Sequence, residues 1–410
     1  MKNDKRKIDG ITLIVLVITI IVLLILAGVT IMALSGENGL LSNAVFSKKL
    51  TTKMEAKELV QMEILGSYTN DGIYDKDSAK SNIEINLNAK VKDNGDETLT
   101  VEYKNNTIII DKKGEILGTL DSSDFVTGEN KEYENNGKAI IPKGFAVSEI
   151  PEEQDVSKGL VIKDDEGNEF VWIPVDDYSQ FKRNENLNGK FGEADQTGKN
   201  TDINVKESNI TELEAKEMYE SVKINGGFYI GRYETSIDNA GKAKVKPRVL
   251  PCVYIPWGDS MEVEGTMGAV DKSRKMYGKK KIDGKYGVSS SLCYGVQWDA
   301  ALRFIETNPS NNGYSNDSTG RGNYYEIDNL YDWKGKLTKT GYLKQYMVNN
   351  IYDLGGNASE WTMESFESRC RVYRGGSYGV SGKEYPSSYR NKQEPMNSFP
   401  SVTFRVALYL

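Results

Sequence analysis

Hydrophobic and polar positions divide this chain into segments of different character. Residues 11–35, ITLIVLVITIIVLLILAGVTIMALS, contain no charged residue. A helix of that length rises about 37 Å, which is enough to cross a hydrocarbon core of about 30 Å with some tilt. The basic residues Lys2, Lys5, Arg6 and Lys7 precede it, and positive charge marks the cytoplasmic side of a membrane. The pattern predicts one transmembrane helix, with the following chain outside the cell.

Two alternatives exist for this apolar run. A buried core helix rarely extends so far without a polar face. A cleaved secretory signal has a shorter apolar region, of about 7–15 residues, followed by small residues. Residues 36–66 then become polar, and their apolar residues Met54, Leu59, Met62 and Leu65 recur at three- to five-residue spacing. That spacing predicts an amphipathic helical stalk.

Alternating apolar residues beyond the stalk indicate short strands. The alternation covers residues 83–87 and again residues 99–103. DNGD at 93–96 and KKG at 112–114 are hairpin signals. Residues 67–118 are therefore predicted to form a small β-rich spacer.

The remaining chain is divided into a linker and one large domain. Residues 119–138 are acidic and polar, which is typical of a linker. Residues 139–410 are rich in Gly and Tyr and contain long polar insertions. Four stretches have a clear period and are predicted as strands 169–175 and 226–235 and helices 210–222 and 297–306. The pattern predicts an α+β protein whose large domain is irregular and dominated by loops.

The composition narrows the function. The 410 residues have a net charge of −7 and a pI near 5.2, which argues against nucleic-acid binding because that requires a basic face. The absence of histidine removes the usual general base and the usual zinc ligand. Cys252, Cys293 and Cys370 form no CxxC pair, so neither a zinc site nor a disulfide framework is expected. One disulfide between two of them remains open.

The N-terminal segment resembles a known leader. KIDG followed by ITLIVLVITIIVLLILAGVTI is similar to the leader and first helix of type IV prepilins and pseudopilins. The resemblance implies a leader over residues 1–10, cleaved between Gly10 and Ile11. Pilins usually carry Glu at the fifth mature position, where this chain has Val15. That difference argues against assembly into a filament and leaves membrane anchoring through residues 11–35 intact.

A second resemblance covers the C-terminal part of the chain. GGFYIGRYETS, LCYGVQWDAALRF, YDLGGNASEWT, RVYRGGSY, YRNKQEP and FRVAL follow one another in this order. The series resembles the formylglycine-generating-enzyme and sulfatase-modifying-factor family, whose fold is C-type-lectin-like. The resemblance implies that fold for residues 139–410, and a fold alone does not determine function.

In that family the turn matched by residues 352–362 binds calcium. The implied ligands here are Asp353, the carbonyl groups of Gly356 and Ala358, and Glu360. Calcium takes about 6–8 oxygen ligands, and a Gly-rich loop lets carbonyl groups turn inward. The alternative is a tight structural corner with Trp361 in the core.

The residues that the family's enzymes need are absent. Their copper-binding thiol pair lies between the RGGS motif and the arginine matched by Arg390, where this chain has YGVSGKEYPSSY and no Cys. Copper(I) prefers such soft thiolate ligands, and the iron-dependent relatives need histidine. We therefore expect no enzyme activity, no copper and no zinc. A carboxylate-based hydrolase remains open, although no paired acidic motif indicates one.

The C-terminal segment alternates framework residues with exposed-looking polar and aromatic ones. Tyr offers a large contact area at a small entropy loss, and Ser offers adaptable hydrogen bonds. The layout resembles the variable region of target proteins of diversity-generating retroelements. The predicted ligand-binding residues are Ser377, Tyr378, Val380, Ser381, Tyr385, Ser387, Ser388, Asn391, Asn397, Phe399 and Ser401. An ordinary fixed loop is the alternative.

Together these patterns predict a single-pass cell-membrane protein that displays an inactive lectin-like domain outside the cell. Its expected activity is adhesion or binding of an extracellular protein or glycan through a C-terminal face. The resemblance to target proteins of diversity-generating retroelements implies that this face is hypervariable. Two alternatives are a minor pilin or pseudopilin in a pilus-like assembly and a formylglycine-generating-type oxidase.

Overall fold

The computed structural model describes residues 40–69, 71–95, 98–121, 125–183, 209–258, 268–281, 284–325, 335–366 and 370–410. The predicted leader, the junction between Gly10 and Ile11, and the predicted transmembrane helix over residues 11–35 lie outside these residues and stay predictions. Among the helices in the described ranges, none combines the length and hydrophobicity needed to cross a bilayer.

The predicted stalk forms helix α1 (Leu40–Leu65). Among the side chains of this helix that the structure describes, the buried ones lie four residues apart and are Ala56, Val60 and Ile64. Met62 and Leu65, which were predicted on the apolar face, are exposed. The helix is confirmed, and the predicted face is wrong at Met62 and Leu65, whereas Leu59 is partly buried. Small and β-branched side chains fill the space beneath the neighbouring sheet instead.

The alternation over residues 83–87 predicted a strand, and this prediction is wrong. The structure forms helix α2 (Lys76–Leu87). Asp75 caps this helix, since its Oδ1 accepts two main-chain hydrogen bonds of 3.0 and 3.1 Å in the first turn. Ile83 is buried and Ile85 is exposed. The cap and the packing of α2 against α1 outweigh a short apolar alternation.

A small antiparallel sheet follows α2. Its strands, in chain and spatial order, are β1 (Lys90–Asp93), β2 (Leu99–Tyr103), β3 (Asn106–Ile110) and β4 (Ile116–Asp121). The hairpins predicted at residues 93–96 and 112–114 are confirmed. Ile108 and Ile110 belong to the core with α1, whereas Ile109 contacts the large domain. A Cβ at Gly167 would lie 2.4 Å from Ile109 Cδ1, so glycine permits this docking.

The large domain begins before residue 139. Val126 N–H donates to the Phe145 carbonyl and Gly144 N–H to the Val126 carbonyl, both at 2.9 Å. Strands β5 (Lys131–Glu134) and β6 (Lys138–Ile141) form a hairpin on this domain. Residues 125–138, predicted as linker, therefore pack with the large domain.

A six-stranded antiparallel sheet organises this domain, in the order β13-β20-β10-β9-β8-β7. Its strands are β7 (Phe145–Val147), β8 (Val161–Asp164), β9 (Glu169–Pro174), β10 (Gly227–Gly231), β13 (Ser289–Leu292) and β20 (Val406–Tyr409). The short pairs are β11 (Ser236–Ile237) with β12 (Ala243–Lys244) and β14 (Met347–Val348) with β15 (Ile351–Tyr352). The helices are α3 (Asn209–Asn225), α4 (Ala269–Tyr277) and α5 (Gly295–Thr307). Strands β9 and β10 and helices α3 and α5 confirm the four predicted elements.

A second sheet carries the C-terminal motifs. Its order is β18 (Arg390–Gln393), β17 (Cys370–Arg374), β16 (Ser359–Phe366) and β19 (Val402–Phe404). Strands β16 and β19 are parallel and the other pairs antiparallel. Helix α5 packs against both β9 and β16. It therefore lies where its side chains can reach the ends of the C-terminal loops.

Candidate functional site

A buried ion-pair network holds both ends of the loop that joins β17 to β18. Arg374 and Arg390 are register partners on these strands. Asp299 of α5 binds both, with contacts of 2.7 Å to Arg374 Nη2 and 2.8 Å to Arg390 Nη2. Glu364 of β16 also binds both, at 3.0 Å to Arg374 Nη1 and 2.8 Å to Arg390 Nε. All four side chains are fully buried.

Pairing decides the charge state of this network. Burial acts to raise the pKa of Glu364, but the guanidinium groups of Arg390, Arg183 and Arg374 outweigh it and hold the pKa below its ordinary value. Arg183 Nη2 lies 2.6 Å from the Glu364 carboxylate. Burial, and then the neighbouring Arg390, lower the pKa of Arg374. An unpaired charge here would be costly, so the loop ends stay fixed while both carboxylates are present.

A third arginine fixes the end of the following segment. Arg405 is fully buried, and its Nε and Nη2 bind Glu360 at 2.9 and 2.5 Å. Its Nη1 donates to the carbonyl of Gly231 and its Nη2 to that of Tyr352, both at 2.9 Å. The guanidinium therefore joins the C-terminal sheet to β10 and to the turn after β15. Residues 375–389 and 391–404 each run between two of these arginines.

At the RGGS motif, two parts of the main chain come close together. Gly375 and Gly376 have φ values of +97° and +70°. A Cβ at Gly376 would lie 2.2 Å from the Tyr385 carbonyl oxygen, so a side chain cannot be accommodated without movement. The Gly375 carbonyl accepts from Tyr324 Oη at 2.9 Å and from Gly356 N–H at 2.8 Å. The motif thereby fastens the loop to the turn at residues 352–362.

That turn is a structural corner built around Asn357. Its buried Oδ1 accepts from Asn323 Nδ2 at 3.0 Å and from Thr338 N–H at 2.9 Å. Its Nδ2 donates to Glu234 Oε2 at 2.5 Å, and the neighbouring Ala358 N–H donates to Glu234 Oε1 at 2.8 Å. The corner interpretation of the sequence is therefore correct for these residues.

The predicted calcium ligands are close in sequence but differ in availability. Both oxygens of Glu360 are bound by Arg405, as described above. Asp353 Oδ2 accepts from Gly341 N–H at 3.2 Å, while no described residue donates a hydrogen bond to the buried Oδ1. Burial raises the pKa of Asp353 to about 7.

One unpaired carboxylate oxygen is few for an ion that takes about 6–8 oxygen ligands. In the ranges that the structure describes, no three His, Cys, Asp or Glu side chains are arranged to hold a metal ion. Glu360 does not fit a calcium ion while Arg405 holds it. The carbonyl groups of Gly356 and Ala358 remain in the same turn. Calcium binding stays a prediction of the family resemblance, which the pairing of Glu360 with Arg405 opposes.

The predicted ligand-binding residues fall into two groups. Eight are partly exposed, namely Tyr378, Val380, Ser381, Tyr385, Asn391, Asn397, Phe399 and Ser401. The other three are the buried Ser377, Ser387 and Ser388. Ser387 Oγ donates to the Tyr314 carbonyl at 3.2 Å and Ser388 Oγ to the Ser315 carbonyl at 2.5 Å. The predicted exposure of these three serines is wrong. The hydroxyl groups of Ser387 and Ser388 satisfy main-chain carbonyls beneath the loop.

The structure adds exposed residues that the sequence reading missed. Tyr254, Tyr325 and Met396 are 64%, 58% and 67% exposed. Tyr325 N–H donates to the Val380 carbonyl at 3.0 Å and Tyr254 N–H to the Phe399 carbonyl at 2.9 Å. Tyr254 has φ +58°, a backbone conformation uncommon for a bulky residue. The prolines around Tyr254 in LPCVYIPW were the sequence signal for an ordered loop there.

The three cysteines are separate. Cys293 is buried, Cys252 and Cys370 are partly buried, and no disulfide joins any two of them. Burial raises the pKa of the Cys252 thiol, which lowers its thiolate fraction and hence its reactivity. The disulfide left open by the sequence is not formed.

Comparison with known proteins agrees with the motif series. Residues 241–410 match the family described as the sulfatase-modifying factor enzyme 1-like domain. Among curated proteins, none matches the sequence.

Three solved structures are similar at low identity. CarF is 14% identical over 45% of this chain and 87% of its own, with a TM-score of 0.30. PvdO from Pseudomonas aeruginosa is 14% identical over 45% and 82%, with a TM-score of 0.31. Treponema denticola variable protein 1 is 12% identical over 69% and 100%, with a TM-score of 0.25. These scores carry no argument about function. The conclusion is that residues 241–410 are similar to the sulfatase-modifying factor enzyme 1-like domain, as their motifs predicted.

Proposed function

We propose that this chain is a non-enzymatic binding protein that presents the partly exposed side chains of residues 378–401 to a macromolecular ligand. The observation that carries the proposal is the contrast in this segment between buried, ion-paired arginines and surface side chains. Arg374, Arg390 and Arg405 are fully buried and ion-paired, while the side chains between them reach the surface. Surface residues can therefore change without disturbing the ion pairs.

The character of the exposed residues favours a protein ligand. Tyr254 and Tyr325 are bound to the segment through their main chains, and Met396 lies within it. All three side chains are exposed, so the face includes two aromatic rings and a thioether. Tyr and Met are enriched in protein interfaces, and the flexible Met side chain adapts to irregular apolar surfaces. Stacking on a sugar would instead use the flat rings alone.

The chemistry of the loop supports the proposed lack of enzyme activity. Residues 375–389 contain no cysteine, so the copper-binding thiol pair of the resembling enzymes has no counterpart in the loop. A redox function would need another site. We also propose display at the cell surface through residues 11–35, and sequence diversification of the exposed positions.

Ligand capture tests the binding face directly. A photo-crosslinking amino acid at position 378 of the full-length protein should link to one defined surface protein, identified by mass spectrometry. Unlabelled, unmodified protein should compete for the ligand and reduce that crosslink. Unlabelled protein that carries Y378S/Y385S/M396S should no longer compete. The matched control is I224S, which removes an exposed apolar side chain from α3.

Each outcome has a clear meaning. Equal competition by the triple variant would reject residues 378–401 as the binding face. Binding on a glycan array that is lost in the triple variant would keep the face and replace the protein ligand by a glycan. Conversion of a cysteine peptide to formylglycine with copper would reject the non-enzymatic proposal. Sequencing the coding segment of residues 370–410 across one cell population tests diversification.

A further inference from the structure

Tyr254 combines a strained backbone with a side chain that lies mostly outside the fold. Its φ of +58° brings Cβ close to the following carbonyl oxygen, a conformation that Gly adopts freely and that Asn and Asp tolerate best among the other residues. The side chain is 64% exposed. Within the described residues its hydroxyl group makes no hydrogen bond and its ring packs against no other aromatic ring. Stability alone would therefore favour Gly or Asn at this position.

The chain on both sides of Tyr254 fixes the strained conformation. Two residues before it, the Cys252 N–H donates to the Thr235 carbonyl at 2.9 Å. One residue after it, the Ile255 carbonyl accepts from Trp361 Nε1 at 3.0 Å. Backbone strain persists only where the surrounding structure over-determines it, and strained residues cluster at ligand-binding sites. The strain at Tyr254 therefore points to a role in binding.

Tyr254 adjoins the C-terminal segment although it lies far from it in the sequence. Its N–H donates to the carbonyl of Phe399 at 2.9 Å. The Phe399 side chain is partly exposed, and its ring is tilted against the ring of Tyr373, with centroids 6.4 Å apart. Tyr254 is thus attached to a part of the segment that is itself packed on the C-terminal sheet.

A tyrosine held in this way is well suited to protein binding. Tyr is among the residues that dominate the energy of protein interfaces. It offers a large contact area and has few rotatable bonds. Because the backbone of Tyr254 is already fixed, little further ordering would oppose binding.

We propose that Tyr254 is a constant anchor of the binding face, and that its ring enters an apolar pocket on the protein ligand. This inference rests on the function proposed above and adds to it a contact outside residues 370–410. Sequence changes confined to residues 378–401 leave Tyr254 in place. The ligands of different sequence variants would therefore share a pocket for this ring and differ in their contacts with the C-terminal segment.

Competition and melting of the full-length protein separate the role of the ring in binding from its role in the fold. The competition readout is the crosslink formed from position 378. The concentration of unlabelled Y254N that halves this crosslink should exceed that of the unmodified protein by about tenfold or more, whereas Y254F should stay within about threefold. Y254N should also melt about 2 °C higher than the unmodified protein, because Asn tolerates the left-handed conformation.

Leu250 provides the matched control within the same loop. It is 57% exposed and lines a cavity beside Asp111, which follows β3. L250S removes an exposed apolar side chain without touching the binding face, and should change neither competition nor melting. A loss of competition in L250S as large as that in Y254N would assign the effect to the loop and overturn the role of the ring.

The remaining outcomes distinguish this inference from the function on which it rests. A crosslink that Y254N competes for as well as the unmodified protein would overturn the anchor and leave the binding face intact. The absence of any crosslink from position 378 would overturn the binding face and the anchor with it. A lower melting temperature of Y254N would show that the ring stabilises the fold, and would also overturn the proposal.

Discussion

The C-terminal segment contains neighbouring positions in opposite environments. Arg374, Arg390 and Arg405 are fully buried and each binds a carboxylate. Tyr378 and Val380 are partly exposed and Met396 is largely exposed. The three charged arginines are therefore inside, whereas these large apolar side chains reach the solvent.

This contrast shows which residues determine the conformation of the segment, namely the buried arginines and their partners. Buried charges are stable only in their pairs, and removing one partner typically costs about 3–5 kcal/mol. Surface changes away from such features usually stay within about 0.5 kcal/mol. Five predictions test the contrast, from the largest expected effect to the smallest.

Removal of Asp299 should have the largest effect. D299A leaves Arg374 and Arg390 to share Glu364, and we expect the free energy of unfolding to fall by about 3–5 kcal/mol. Urea denaturation measures the change. D176A removes an exposed carboxylate and should leave stability within about 0.5 kcal/mol. Equal stability of the two variants would contradict the role of the network.

The contribution of Glu364 should depend on pH. Its folded-state pKa lies below the ordinary value of 4.5, so it stabilises the protein above that pH and loses this contribution as pH falls through the folded pKa. Each unit of displacement corresponds to about 1.4 kcal/mol. E364Q should therefore be less stable than the unmodified protein at pH 7, and the gap should narrow below pH 4.5. E384Q, at an exposed site, should stay within about 0.5 kcal/mol of the unmodified protein at pH 7.

Two glycines of one loop should respond differently to alanine. At Gly376 the φ of +70° and the approach of the Tyr385 carbonyl oppose a side chain, so G376A should cost about 1–3 kcal/mol. At Gly379 a Cβ would have no neighbour within 4 Å, and G379A should be neutral. Thermal melting compares them, and equal losses would show that the loop is not held at its base.

The exposed residues should tolerate substitution. Y378S and M396S should each change the free energy of unfolding by no more than about 0.5 kcal/mol. F404A empties a fully buried position and should cost about 3–5 kcal/mol. Chemical denaturation of all three variants tests this. A large loss in Y378S would make Tyr378 part of the framework rather than of the binding face.

Calcium should have the smallest effect. Because Arg405 binds both oxygens of Glu360, we expect the same melting temperature in millimolar calcium and in chelator. A ligand that binds the folded state must raise stability. A clear rise with calcium would therefore show that Glu360 leaves Arg405, and would support the ligand set implied by the family resemblance.

Local patterns predicted the elements whose periodicity and packing agree. Helices α3 and α5 and strands β9 and β10 lie where their apolar periods indicated. For residues 352–362 the sequence allowed two interpretations, a calcium-binding turn and a structural corner, and the structure has the corner. In these cases the residues that determine the structure are close together along the chain.

Local patterns failed where a distant surface decides burial. In α1, both the Met62 face and the Val60 face are apolar, and the small sheet selects the second. Over residues 83–87 the alternation suited a strand, but the cap at Asp75 and contact with α1 produced a helix. The sequence indicated that Ser387 and Ser388 lie at the surface. In the structure both are buried, and their hydroxyl groups donate to the carbonyls of Tyr314 and Ser315.

The sequence by itself determined the order of the motifs, the glycines that a close main-chain approach requires, and the lack of a thiol pair in the loop. The tertiary structure alone decided which charges meet. Asp299 pairs with Arg374 and Arg390 across 75 and 91 residues, and Glu360 pairs with Arg405 across 45. Such pairs follow from the packing of α5 and two sheets, because Coulomb attraction depends on distance in space.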